Sequence, residues 1–297
     1  MPDAHSDGIA EITRRVTDAY WDRYPGRILA CYVTGSWSGG YAVVGSDLDL
    51  VFVLGDRVTE QDQAESAYLA ADLGRTAHLG LDLDLVGIAD EVRPALKLDS
   101  TLVRGPDVRD QLHIMPLEDW IIERRYAGCW LICHLFGRAG VAQIPLPFPN
   151  TSGEFYGYNT NRDGASDGPE GSTKDLVRST SWAMTALLAS ESQRYITSKA
   201  QLLHDLVRCL PGEWASHARD LLDFCRNQTN YAIPTNRGER ATLRRLCERT
   251  REFEDYYLSH HRRFLLDELH SGDARSRARE KLTETPFGDA DVQAALR

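Results

Sequence analysis

Strand-length apolar runs occur only near the start of this chain, at 28–34 (ILACYVT), 49–54 (DLVFVL) and 79–88 (LGLDLDLVGI), and that confinement limits what it can fold into. Residues 9–24 and 58–76, with apolar side chains at three- and four-residue spacing, read as amphipathic helices between and before the strands. The opening ninety residues therefore predict a sheet covered by helices. A long apolar helix is expected at 117–137, and helical periodicity returns at 174–191, 199–210, 213–228 and 239–266, with Pro211 and Pro234 as punctuation. Between these stretches, 150–172 is dominated by Gly, Asn, Asp and Ser and reads as a long mobile connection. The expectation is an α+β protein: a mixed-sheet domain over 1–150, then a helical bundle over 151–297 whose charged tail after 270 is a surface helix or partly disordered.

Charge and composition narrow the partners. The 297 residues carry 34 basic and 44 acidic side chains, a net charge of −10, which disfavours a grip on nucleic-acid phosphates and favours a cationic partner. No run approaches the roughly 20 apolar residues that a membrane helix needs. The first residues lack the basic start and apolar middle of a secretory signal, so a cytoplasmic protein is expected. The six cysteines, at 31, 129, 133, 209, 225 and 247, lie mostly in apolar stretches and are expected as thiols. Cys129, Cys133 and His134 have the wrong spacing for a zinc knuckle and read as helix core.

Chemistry concentrates in 33–53 (VTGSWSGGYAVVGSDLDLVFV). Gly35 and Ser36 follow a strand directly, and a glycine there lets backbone pass close to a ligand while the next helix starts with N–H groups and a hydroxyl that suit phosphate. Asp47 and Asp49, two apart in the next strand, point to one face, where paired carboxylates can hold a hard divalent cation shared with substrate phosphates. A further carboxylate is available from LDLDLV as Asp82 or Asp84, again on a common face, and bare aspartates in an apolar strand point to a metal or a solvent-lined cleft.

Gly35, Ser36, Asp47, Asp49 and one of Asp82 or Asp84, in that order, resemble the signature of the nucleotidyltransferase superfamily that includes DNA polymerase β. A second stretch, 176–228, is similar to the C-terminal helical domain of aminoglycoside adenylyltransferases of the streptomycin/spectinomycin type, through Ile196-Thr197-Ser198-Lys199 and Leu210-Pro211-Gly212-Glu213-Trp214. The resemblance implies an enzyme that moves a nucleoside monophosphate from ATP or another NTP to a hydroxyl of a small acceptor, cationic or otherwise, releasing pyrophosphate. It further implies two Mg²⁺ ions on Asp47, Asp49 and the third carboxylate, with Gly35 and Ser36 cradling phosphates and Lys199 reaching them from the helical domain. Asp82 or Asp84 would also accept the acceptor's proton. The stretch before the first helix of that domain mixes Glu170 and Asp175 with Lys174 and Arg178, so the acceptor is either an aminoglycoside-like antibiotic, making this a resistance enzyme, or a biosynthetic intermediate.

The competing readings are a nucleotidyltransferase with a macromolecular acceptor, such as a toxin-modifying antitoxin or an enzyme acting on tRNA ends, and an inactive nucleotide-binding regulator. Trp37 is expected to pack the helix start or stack on a ligand. Trp120, Trp130 and Trp182 read as core, and the run 259–263 (SHHRR) as a solvated helix face.

Overall fold

The computed structural model describes residues 4–77, 79–160 and 171–297. Two compact units emerge: the chain up to Pro116 together with Thr197–Ala200, and Leu117–Ile196 together with Gln201–Arg297. The first opens with helix α1 (Ala4–Arg23), strand β1 (Ile28–Thr34), the short helix α2 (Gly35–Ser38) and strand β2 (Leu48–Leu54). Helix α3 (Glu60–Thr76), strand β3 (Leu81–Gly87), strand β4 (Glu91–Val92), helix α4 (Pro94–Leu98), strand β5 (Thr101–Arg104) and strand β6 (His113–Ile114) complete it. The main sheet has the order β3-β2-β1-β5, with β2 and β3 parallel and the other pairs antiparallel. It is the mixed sheet of an α+β protein.

Strand alternation sorts the side chains into two layers. Leu48, Leu50, Phe52 and Leu54 of β2 pack with Val16, Tyr20 and Tyr24 of α1 and Leu73 of α3. On the opposite face Val51 and Val53 join Ala30 and Tyr32 of β1 under Val92, Leu96, Val108 and Leu112. The Tyr20 ring stacks on Phe52 with centroids 3.9 Å apart and planes 3° from parallel, and its hydroxyl meets Ser66 Oγ at 2.8 Å. Burial pushes the Tyr20 hydroxyl up to about 12, so it stays protonated and keeps that bond. Asp62 fastens the far end of this layer. Its carboxylate takes both Arg27 nitrogens, at 2.7 and 3.0 Å, and forms a capping box with Thr59 at the start of α3.

The second unit is helical: α5 (Leu117–His134), α6 (Lys174–Ser192), α7 (Lys199–Cys209, whose first two residues count with the first unit), α8 (Gly212–Leu221), a π-helical turn over Leu222–Gln228, α9 (Arg237–His270), α10 (Arg275–Glu284) and α11 (Ala290–Leu296). The unit boundary at 116/117 differs from the one expected at 150. The reason is packing: at Gly128 of α5 a Cβ would crowd the Tyr257 hydroxyl of α9, which donates to the Arg125 carbonyl, so α5 is held by the later helices. Of the 150–172 connection, 161–170 lie outside the described residues, and the part before them is anchored by buried Phe155 and Tyr158. Tyr158 bonds Glu254 at 2.7 Å beside the buried Arg138–Glu254 pair. The tail after 270 is also built in, since Ala278, Phe287 and Val292 are buried. No helix among the described residues is long and apolar enough to cross a membrane.

Phe52→Ala removes the ring on which Tyr20 stacks and should cost about 3–5 kcal/mol in urea unfolding, whereas Tyr20→Phe keeps the stack and should cost about 1 kcal/mol. A loss below 1 kcal/mol for Phe52→Ala would contradict this account of the layer.

Candidate active site

The site occupies the first half of the strand face whose second half is closed by Val51 and Val53. Asp47 and Asp49 continue that line beyond the apolar cover, half-buried, while their neighbours Leu48 and Leu50 are fully buried on the opposite side. The parallel register sets Asp49 of β2 directly against Asp82 of β3, and the antiparallel register sets it against Thr34 of β1. Thr34 is the last residue of its strand, because Gly35 adopts a φ of +66°, in the left-handed region that favours glycine. A Cβ at Gly35 would collide with Asp49 Oδ2, so the Gly-Ser turn and the carboxylate touch. The first-turn N–H groups of α2, Gly35 and Ser36 among them, have no acceptor within the helix itself.

Asp47 has a matching contact. A Cβ at Gly80, just before β3, would collide with Asp47 Oδ1, and the Gly80 carbonyl accepts from Leu48 N–H at 2.8 Å. Asp84 stands one pleat beyond Asp82, opposite Val51, and its carboxylate lies 3.0 Å from Arg93. Asp82 and Asp84 share a face, as alternation requires, but only Asp82 is Asp49's neighbour across the strands.

Crowding has a measurable electrostatic consequence. Burial, then the charges of Asp82 and Asp47, raise the Asp49 carboxyl to about 7, and Lys199 and Arg93 pull in the other direction. Lys199 thus acts on Asp49 electrostatically, from a segment that packs with the sheet rather than with the helical unit where it was expected. Thr197, two residues earlier, donates to Asp99 Oδ2 at 3.3 Å, while the Asp99 carbonyl accepts from Ser38 at the end of α2 at 3.0 Å. Asp99 therefore ties the segment bearing Lys199 to the helix bearing Ser36.

Gly35, Ser36, Asp47, Asp49, Asp82 and Lys199 belong to this one unit. Gly80, Arg93 and Asp99 join them without any motif of their own, and only Gly80, as the residue just before LDLDLV, leaves a signal in the sequence. Trp37 packs against the α1/α3 layer. Of the acidic residues ahead of and at the start of α6, Glu170 lies outside the described residues and Asp175 is buried. Among the described residues no group of three or more His, Cys, Asp or Glu side chains is arranged to hold a metal ion. Mg²⁺ asks less of a protein, taking one or two carboxylates and completing its shell from water and phosphate, and the hard oxygen donors of Asp47 and Asp49 fit that demand.

No protein-family model matches the chain. No curated protein matches it. In structure it is similar to the spectinomycin adenyltransferase AAD(9) from Enterococcus faecialis, solved with ATP and spectinomycin, with a TM-score of 0.48 and 14% identity over 81% of this chain and 98% of that one. It is also similar to a toxin-antitoxin solved with AMP-PNP, with a TM-score of 0.26 and 17% identity over 34% of this chain and 77% of that one. At these values neither assigns a role to any residue here.

An Asp whose folded pKa is raised weakens the fold as pH climbs: from about 3.9 to about 7 the unfolded chain sheds the proton that the folded one still holds. Asp49→Asn should therefore be more stable than the parent by up to about 4 kcal/mol at pH 8 without divalent cations, with the gap shrinking to a small fraction at pH 4. Equal stabilities at both pH values, in chelator, would refute the crowding.

Proposed function

We propose that the chain is a nucleotidyltransferase that moves a nucleoside monophosphate, AMP from ATP in the first instance, onto a hydroxyl of a small molecule with release of pyrophosphate. One observation carries the reading: Asp49, raised to about 7, is packed at once against the Gly35 turn and, through strand register, beside Asp82. A turn shaped for phosphate and a set of carboxylates that cannot all be charged alone is the arrangement that a nucleoside triphosphate with a divalent cation would satisfy.

In this reading the Gly35 and Ser36 amides and the Ser36 hydroxyl bind the β- and γ-phosphates, and the missing side chain of Gly35 lets the Asp49 carboxylate lie against the same turn. Asp47 and Asp49 would hold Mg²⁺, which, when bound, supplies charge neutralisation at the α-phosphate and the departing pyrophosphate. Lys199 adds positive charge on the same side and offsets the phosphates. The acceptor oxygen forms a bond to the α-phosphorus while the bond from that phosphorus to the bridging oxygen breaks. Its proton passes to the Asp82 carboxylate, the most exposed of the neighbouring acids. Asp84, held by Arg93, is assigned the lesser role of keeping that arginine close to the site. The net charge of −10 favours a cationic acceptor, an aminoglycoside-like antibiotic or a biosynthetic amine-bearing alcohol, in a cytoplasmic setting.

Mass spectrometry of the protein with Mg²⁺, each of the four NTPs and an acceptor panel containing streptomycin and spectinomycin tests this. The expected result is an acceptor heavier by one nucleoside monophosphate and an equal amount of pyrophosphate. Asp82→Asn should slow the reaction by at least about a hundredfold and Asp84→Asn by less than about tenfold. The reverse order would exchange the two roles, and failure to bind any NTP in the presence of Mg²⁺ would reject the reading outright.

A further inference from the structure

The helical unit contains a cavity of about 390 Å³ between α5, α6, α9 and α10. A void of about 150 Å³ suffices for benzene, and drug-sized pockets begin near 300 Å³, so this one can take a fused bicyclic ring. Its walls include Tyr126 and Trp130 of α5, Trp182 of α6 and Leu265 of α9. His261 of α9 also lines it, only 3% exposed, and its Nδ1 has no hydrogen-bond partner among the described residues. Burial, and then the nearby Arg125 charge, push that imidazole down to about 3, so it is neutral in any physiological buffer. The charged lining residues balance: Lys281 of α10 lies 3.9 Å from Glu123 and 4.0 Å from Glu284, and Arg178 lies 3.9 Å from Asp175.

We propose that this cavity is a binding site for a small, uncharged, planar aromatic molecule that carries a polar ring atom for His261. The aromatic walls match a flat ring in shape and chemistry. With no net charge in the lining, an ionic ligand would lose its hydration and gain no counter-charge, which selects an uncharged one. A buried imidazole nitrogen without a partner is costly to the protein alone, and a ligand atom that bonds it recovers that cost. A neutral imidazole carries one N–H and one lone pair, so a ligand presenting a donor next to an acceptor answers either tautomer. The inference stands on the helical unit alone and does not depend on nucleotidyl transfer.

Isothermal titration of the full chain with indazole, a flat bicycle with adjacent N–H and N, and with indene, the same outline without nitrogen, tests the proposal. Indazole should bind saturably and about fivefold or more tighter than indene. His261→Phe, which keeps a ring in place, should erase that preference, and Ala127→Phe, which fills the cavity from the α5 side, should abolish binding of both. Thermal unfolding of each variant checks that it is folded. Absence of saturable binding to the parent protein, equal binding of the two probes, or indazole binding untouched in both folded variants would overturn the proposal.

Discussion

Three carboxylates gathered at the open end of one strand face are the constraint around which the first unit is arranged. Asp49 is flanked across the strands by Asp82, has Asp47 two residues before it just ahead of β2, and touches the Gly35 turn. Such a grouping opposes folding, and burial together with the charges of Asp82 and Asp47 raises the Asp49 carboxyl. What sustains it lies on either side: the two apolar layers of the sheet supply the stability, and Lys199 and Arg93 supply positive charge.

Two glycines make the crowding possible by different means. Gly35 is needed for its positive φ and for the space Asp49 takes, while Gly80 is needed for space alone, because Asp47 occupies the volume of its absent side chain. Asp99 works at a longer range. Through Ser38 and Thr197 it joins the turn to a segment nearly a hundred residues away in sequence, and so connects the Gly35 turn to the lysine whose charge acts on Asp49.

Much of this was legible in the residues. The strands announced themselves as short β-branched runs, and the alternation of Asp with Leu in 47–50 and 81–85 set all four aspartates on the face they occupy. Alternation could not separate Asp82 from Asp84, since both obey it. Register does, and register is a property of two strands together. The compact units divide at 116/117 and not at the irregular stretch for a related reason: composition marks where a chain is irregular, but Phe155 and Tyr158 are buried in the middle of that stretch, and α5 is held by helices far along the chain. Lys199 lies in a stretch of helical periodicity, yet it packs with the first unit. A four-residue segment inside a helical stretch left no local mark of packing with the sheet. Arg93 and Asp99 were silent for the same reason, being ordinary loop and cap residues until the fold brings them to the site.

The most direct test of the central claim is a carboxyl-carbon NMR titration of Asp49 in the metal-free protein, repeated with saturating Mg²⁺ and a non-hydrolysable NTP. Burial and the charges of Asp82 and Asp47 predict a midpoint near 7 in the first case, and the arriving positive charge a fall of at least about two units in the second. A midpoint near 4 in the metal-free protein, unchanged by cation and nucleotide, would show that the carboxylates are not crowded and that this face of the sheet is not where the chemistry occurs.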